Sequence, residues 1–208
     1  PRSPSVLFGQ ITHHDYFNLY RKIAGLTGTI GTKNDEKLLK EGYNVDIIKV
    51  PRHYESQNHI YLKKRPDSLS KIFSSVKREI EKETEKGRPV LVIWNTLDNA
   101  EKFMNEIEFP LAQRIFGIHP KADSYSIKLA GRSGCITIAT LAAGRGVDIK
   151  LEQKSIDAGG LHVIIPLNMM NQRSLEQAAG RAGRQGQPGS VSIFISEDDK
   201  FIEQSKFK

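Results

Sequence analysis

The sequence predicts an α/β fold, a doubly wound and mostly parallel sheet flanked by helices. Three observations predict it. Short apolar runs recur along the second half of the chain: "PVLVIWNT", "RIFGIH", "CITIAT", "LHVIIPL" and "SVSIFIS". They lack the polar alternation of a half-exposed strand, and such continuous runs mark strands buried on both faces. Helical patterns stand between several of them, and strand–helix alternation is the signature of a parallel sheet with crossover helices.

Taken in order, residues 1–60 form a lead-in and residues 61–208 the sheet domain. The lead-in holds a helix-like piece, "HDYFNLYRKIAG", in which Tyr16, Phe17, Leu19, Tyr20 and Ile23 crowd one face and Gly25 is a stop. "LTGTIGTKND" follows, and "YNVDIIKVP" reads as a strand ended by Pro51. In the sheet domain, "PDSLSKIFSSVKREIEKETEKG" is an amphipathic helix with Leu69, Ile72, Phe73, Val76 and Ile80 on its apolar stripe and Gly87 at its end. "NAEKFMNEIE" is a shorter helix. The charged "KREIEKETEKGR" reads as a solvated helix face, Trp94 as core, and His162 as a satisfied core histidine.

Composition narrows the class. The chain has 208 residues, 38% hydrophobic and 26% charged, which suits one α/β domain with an appendage and excludes bulk disorder. No apolar run approaches the roughly 18 residues that span a bilayer. "PRSPSVLFGQ" offers no initiating Met and no signal-peptide core, so a piece of a longer protein is expected. Cys135 is the single cysteine, which excludes an internal disulfide and fits a reducing compartment. Neither His13 with His14 nor His53 with His59 has a convincing third ligand, so no metal site is expected. The net charge of +7 permits contact with nucleic acid, with anionic lipid or with a nucleotide, and does not choose among them.

Two glycine–arginine stretches carry the chemistry. "CITIATLAAGRGVDI" puts Thr140 at a strand end, followed by Gly144, Arg145, Gly146 and Asp148. Glycines let backbone approach a ligand closely, and the aspartate can accept from ribose hydroxyls or orient a cation. About 30 residues on, "QRSLEQAAGRAGRQG" continues as a helix that would align Gln177, Arg181 and Arg184 at i, i+4 and i+7, among Gly180 and Gly183. Arginines on a small-residue background suit bidentate contact with an oxyanion. Yet the chain has no G-x-x-x-x-G-K-[ST] loop; "GLTGTIGTK" echoes one but runs Gly31-Thr32-Lys33. "SEDDK" echoes a Walker-B acid pair but reads better as a helix start.

The two stretches resemble motifs V and VI of superfamily-2 helicase-type motors, in their second RecA-like domain. "QITHHDYFNLYRKIAGLTGTIG", "GRPVLVIWNTLDNAEKF", "AGGLHVIIPL" and "QAAGRAGRQGQPGSVSIFISEDD" resemble, in family order, the SecA preprotein translocase ATPases. The resemblance implies a RecA-like domain that meets ATP across a cleft, with ATP/ADP and Mg2+ held mostly by a first motor domain lying outside this chain. It implies Arg184 as arginine finger and Arg181 as its γ-phosphate partner. Gln177 would sense the nucleotide or link to motif V, and Gly144, Arg145, Gly146, Asp148, Gly180 and Gly183 would line the nucleotide side, with Arg145 also coupling the domains. Thr27, Gly28 and Thr29, in the A-G-x-T-G-T motif, would couple hydrolysis to domain closure. The implied partners are the first motor domain, unfolded polypeptide and a membrane translocon, at a cytoplasmic site peripheral to a membrane. The chain alone is expected to be inactive. Before motif VI, "PLNMMNQRSLEQAAG" keeps only Arg173, Gln177 and Gly180 of the family's arginine-rich run, which points to a diverged member. The competing reading is the C-terminal RecA-like domain of an RNA or DNA helicase, with nucleic acid as partner; "FNLYRKIAGLTGTIG" favours the first.

Overall fold

The computed structural model describes residues 9–107, 109, 111–115, 117, 120–141, 148–166 and 172–195. The chain divides into two compact units, Pro1–Pro51 and Arg52–Lys208.

In the first unit two helices form. Helix α1 (His13–Asn18) starts at Thr12, whose hydroxyl accepts from the Asp15 amide. Helix α2 (Lys33–Tyr43) starts at Thr32 with a capping box: the Asp35 amide donates to the Thr32 hydroxyl, and the Asp35 carboxylate accepts from the Thr32 amide at 2.7 Å. A carboxylate therefore occupies the helix N-terminus that "GLTGTIGTK" would have offered to a phosphate. The helix expected to run on to Gly25 ends at Asn18. No described residue of this unit is buried, so the Tyr16–Phe17–Tyr20 stripe has no core to meet; Tyr16 and Tyr20 meet edge-on, centroids 5.5 Å apart. The strand expected in "YNVDIIKVP" is not formed for the same reason. Without a pairing partner, Ile48 and Val50 stay 84% and 82% exposed. Helix α2 lies outside the expected elements; it is amphipathic but charged, and none of its residues is buried.

The second unit carries a six-stranded sheet, every pairing parallel, in the order β1-β6-β5-β2-β4-β3. The strands are β1 (Gln57–Lys64), β2 (Val90–Trp94), β3 (Gln113–Ile115), β4 (Ile136–Thr140), β5 (Leu161–Ile165) and β6 (Pro188–Ile195). The helices are α3 (Leu69–Glu85), α4 (Leu97–Glu106), α5 (Pro120–Leu129), α6 (Gln153–Asp157) and α7 (Gln172–Ala179). Strands β2 and β5 are buried at every residue, as continuous apolar runs require.

Both faces of the sheet are covered. On one, Ile72, Phe73, Val76 and Ile80 of α3 and Phe103 of α4 pack on Val92, Trp94 and Ile138. Trp94, fully buried, meets Phe73 edge-on at 5.3 Å. On the other, Leu175, Ala178 and Ala179 of α7 pack on Leu91, Ile93, Val163 and Ile193, with Ile149 and Leu151 beside them. This is the α/β, doubly wound arrangement expected from the apolar runs. Strand β1, with an exposed edge-strand pattern rather than a buried run, was not anticipated. "SEDDK" lies outside the described residues.

The charged run of α3 is not wholly a solvated face. Glu79 and Glu83 are not solvated; they are 8% and 6% exposed. Glu79 Oε1 accepts from Lys63 Nζ at 2.6 Å, from Ser192 Oγ, and lies 3.0 Å from His162 Nε2. Glu83 pairs with Arg88 at 2.7 Å and with Lys86 at 2.6 Å. Arg88 also donates to the Gly159 and Gly160 carbonyls and to Ser190 Oγ, which lies 2.7 Å from His162 Nδ1. Helix α3 is thus tied to β1, β5 and β6 by a buried polar network. The cue lay in the spacing: positions 79 and 83 continue the stripe of Val76 and Ile80 at 3/4 intervals. His162 is, as expected, a satisfied core histidine.

Candidate functional site

The site forms where the two glycine–arginine stretches meet. Helix α7 ends at Ala179, and the chain continues through tightened turns, with the Arg181 amide on the Ala178 carbonyl and the Ala182 amide on Ala179. Gly183 (φ 65°), Gln185 (φ 54°) and Gly186 (φ 74°) are left-handed, and a short 3-10 turn, Arg184–Gly186, leads into β6. The shared helical face expected for Gln177, Arg181 and Arg184 therefore does not exist. Gly180 and Gly183 are the physical reason: neither favours helix, and Gly183 adopts a backbone that other residues enter at a cost of about 1 kcal/mol or more. The reversal packs against β1, where a Cβ on Gly183 would sit 2.7 Å from the Cβ of Asn58. Asn58 in turn donates to the Ala179 carbonyl at 3.5 Å.

The turn separates the arginines by environment. Arg184 is half-exposed, its Nε on the Gly180 carbonyl at 3.1 Å and its Nη1 on Asp148 Oδ1 at 3.0 Å. That ion pair joins the first stretch to the second across 36 residues of sequence. Arg181 is only 9% exposed and lines a small cavity with Leu91, Ile93, Ile115, Ala139, Thr140 and Ile149. Ile115 and Thr140 end β3 and β4, so the side chain reaches toward the carboxyl ends of those strands. Burial, and then the neighbouring charge of Arg184, hold its pKa down to about 10. Arg181 remains a cation at neutral pH.

Gln177 is half-buried on α7, and Gly180 is exposed just past its end. Gly144, Arg145 and Gly146 lie outside the described residues. In the first unit, Thr27 Oγ1 donates to the Thr29 carbonyl at 2.7 Å and accepts from the Thr29 amide, a local turn around Gly28. Among the described residues no group of three or more His, Cys, Asp or Glu side chains is placed to hold a metal ion.

The SecA P-loop domain family matches residues 52–157 and 152–206. The chain belongs to that family. It is 34% identical over 209 aligned positions to the protein translocase subunit SecA of Thermosipho africanus, covering 97% of this chain and 24% of that protein. It is likewise 34% identical to SecA of Fervidobacterium nodosum, over 97% of this chain and 23% of that one. This SecA-family chain thus spans about a quarter of the length of the relatives it matches. Among solved structures, S. cerevisiae Dbp5 bound to RNA and ADP BeF3 superposes with a TM-score of 0.62 at 15% identity, covering 85% of this chain and 46% of that one. A hypothetical ATP-dependent RNA helicase from Sulfolobus tokodaii gives 0.58 at 19% identity, over 88% and 50%. These likenesses establish the helicase-type RecA-like fold.

Proposed function

We propose that this chain is the second motor domain of a SecA-type ATPase that couples ATP hydrolysis to polypeptide translocation. One observation carries the reading beyond family membership: the Arg184–Asp148 ion pair brings the two glycine–arginine stretches into one site, with Arg181 beside it. A half-exposed guanidinium oriented by a carboxylate and a carbonyl, at the carboxyl ends of the strands, fits an anionic phosphate presented from outside the domain. The P-loop and Mg2+ belong, on this reading, to a first motor domain, from which the residues ahead of β1 are the lead-in. When bound, the nucleotide supplies the γ-phosphoryl group whose transfer drives the cycle.

Arg184 acts as the finger that stabilises charge on that group, an effect worth on the order of 10³–10⁵ in rate in such motors. Arg181 adds a second cation. Asp148 orients Arg184. Gln177, Gly144, Arg145, Gly146, Gly180 and Gly183 form the nucleotide side of the cleft, and Thr27, Gly28 and Thr29 transmit closure. The partners are the first motor domain, an unfolded polypeptide and a membrane translocon. No helix among the described residues is long and apolar enough to cross a membrane, and a cytoplasmic motor peripheral to the membrane is the proposed setting.

The test is steady-state ATPase of the complete motor, with unfolded polypeptide plus membranes in one arm and single-stranded RNA in the other. Stimulation by polypeptide and membranes alone supports translocation. Stimulation by RNA alone, weakening with salt, assigns the domain to a nucleic-acid motor instead.

A further inference from the structure

We propose that the outer edge of β1 is a docking edge for an extended, acidic polypeptide segment, which adds to the sheet as a further strand. The two ends of the sheet differ. Strand β3 closes one with three residues; β1 closes the other with eight. Natural proteins keep exposed edges short or interrupted because an open edge is a template for pairing. Strand β1 is long, and its centre carries Ile60, Tyr61 and Leu62 at 36%, 52% and 41% exposure.

The register shows which groups face outward. Lys64 is opposite Ile195, and the Arg65 amide donates to the Ile195 carbonyl at 2.7 Å. Period-two alternation then turns the peptide groups of residues 57, 59, 61 and 63 toward β6 and those of Asn58, Ile60, Leu62 and Lys64 outward. Among the described residues β1 has no strand partner on that side. The side chains grip from both faces. Lys63 reaches Glu79 of α3, so Tyr61 and His59 share the α3 face. Asn58 reaches Ala179 of α7, so Ile60 and Leu62 share the α7 face.

Charge selects the occupant. Within the second unit, the segment from Arg52 to Arg65 carries Arg52, Lys64 and Arg65 against Glu55, besides Lys63, whose charge is met by Glu79. An incoming strand alternating β-branched and acidic residues would pair its amides with the outward groups, its apolar side chains with Ile60 and Leu62 on the α7 face, and its acids, on the α3 face, with Arg65.

The experiment titrates the 208-residue chain into a fluorescein-labelled decapeptide that alternates valine and glutamate, read by anisotropy and by backbone hydrogen exchange. Binding is expected, with new protection at the amides of Ile60, Leu62 and Lys64. Methylating every peptide nitrogen, or replacing the glutamates by lysine, should weaken it ~10-fold or more. Ile60→Pro should do the same while leaving the melting temperature near that of the parent chain, because the amide it deletes faces away from β6. If that variant melts early, Leu62→Lys carries the comparison, since it charges the edge without touching the backbone. Equal binding by the fully methylated or the lysine peptide, no binding by the acidic peptide, or protection elsewhere overturns the proposal. So does a concentration-dependent dimer abolished by Ile60→Pro, which would make a second copy of the chain the occupant.

Discussion

Arg184 Nη1 lies 3.0 Å from Asp148 Oδ1, and this contact makes one site of two stretches that are far apart in sequence. Both side chains are part-exposed, 37% and 51%, so the pair contributes little to stability, about 0–1 kcal/mol. Its value is in orientation. If Arg184 acts as the proposed finger, Arg184→Ala in the complete motor should lower turnover on the order of 10³-fold while leaving most nucleotide affinity, because a finger acts mainly in the transition state. Asp148→Asn should give a smaller loss of kcat with an almost unchanged melting temperature. Single-turnover hydrolysis beside equilibrium nucleotide binding separates these; equal loss of both by Arg184→Ala would make the residue structural.

Gly183 combines a left-handed φ of 65° with a Cβ direction that points at Asn58, 2.7 Å from its Cβ. Gly183→Ala should therefore destabilise the chain by about 1–3 kcal/mol through strain and overpacking. Urea unfolding of the chain without nucleotide is the check. An unchanged midpoint would remove the packing role and leave only a ligand-facing one.

Glu79 predicts a pH dependence. Burial pushes its pKa up, but hydrogen bonds from His162, Lys63 and Ser192, with the charge of Lys63, outweigh that and bring it down to about 2 from an ordinary 4.5. A carboxyl with a depressed folded pKa stabilises the fold above its unfolded pKa and loses that contribution as pH falls from 4.5 toward 2. The contribution near neutrality is on the order of 3 kcal/mol. Melting temperatures from pH 3 to 7 should fall less steeply toward acid in Glu79→Gln than in the parent chain. Parallel curves would show that Glu79 is not a main source of acid sensitivity.

Arg88 holds Glu83, Ser190 and the Gly159 and Gly160 carbonyls together. Arg88→Ala would leave Glu83 to Lys86 alone and remove the donor that the Gly159 and Gly160 carbonyls and Ser190 share, and the expected cost is about 1–3 kcal/mol. Arg88→Lys should recover only part, since an ammonium cannot reproduce the planar fork that meets four acceptors. Denaturant midpoints of the three chains decide it; full recovery by lysine would mean that charge alone matters.

Strands β2, β4, β5 and β6 and the long helix α3 were legible because each encodes its burial locally, as a continuous apolar run or a 3/4 stripe. Elements whose identity depends on a neighbour were not. "QNHIYLKK" becomes β1 only because β6 lies alongside it, and "YNVDIIKVP", equally apolar, stays unpaired because no described strand lies alongside it. Glu79 and Glu83 look like solvent-facing charge until Lys63 and His162 arrive from β1 and β5 and Arg88 from the turn before β2. The site shows the same division. The sequence alone determined the glycine–arginine chemistry and the alternation that makes a parallel sheet, since both are written in residue type and spacing. Only the tertiary structure decided that Arg181 is buried, that Arg184 is oriented by Asp148, and that α7 stops before both. Those outcomes depend on a left-handed turn packed against β1, a contact between residues more than a hundred positions apart that no local pattern encodes.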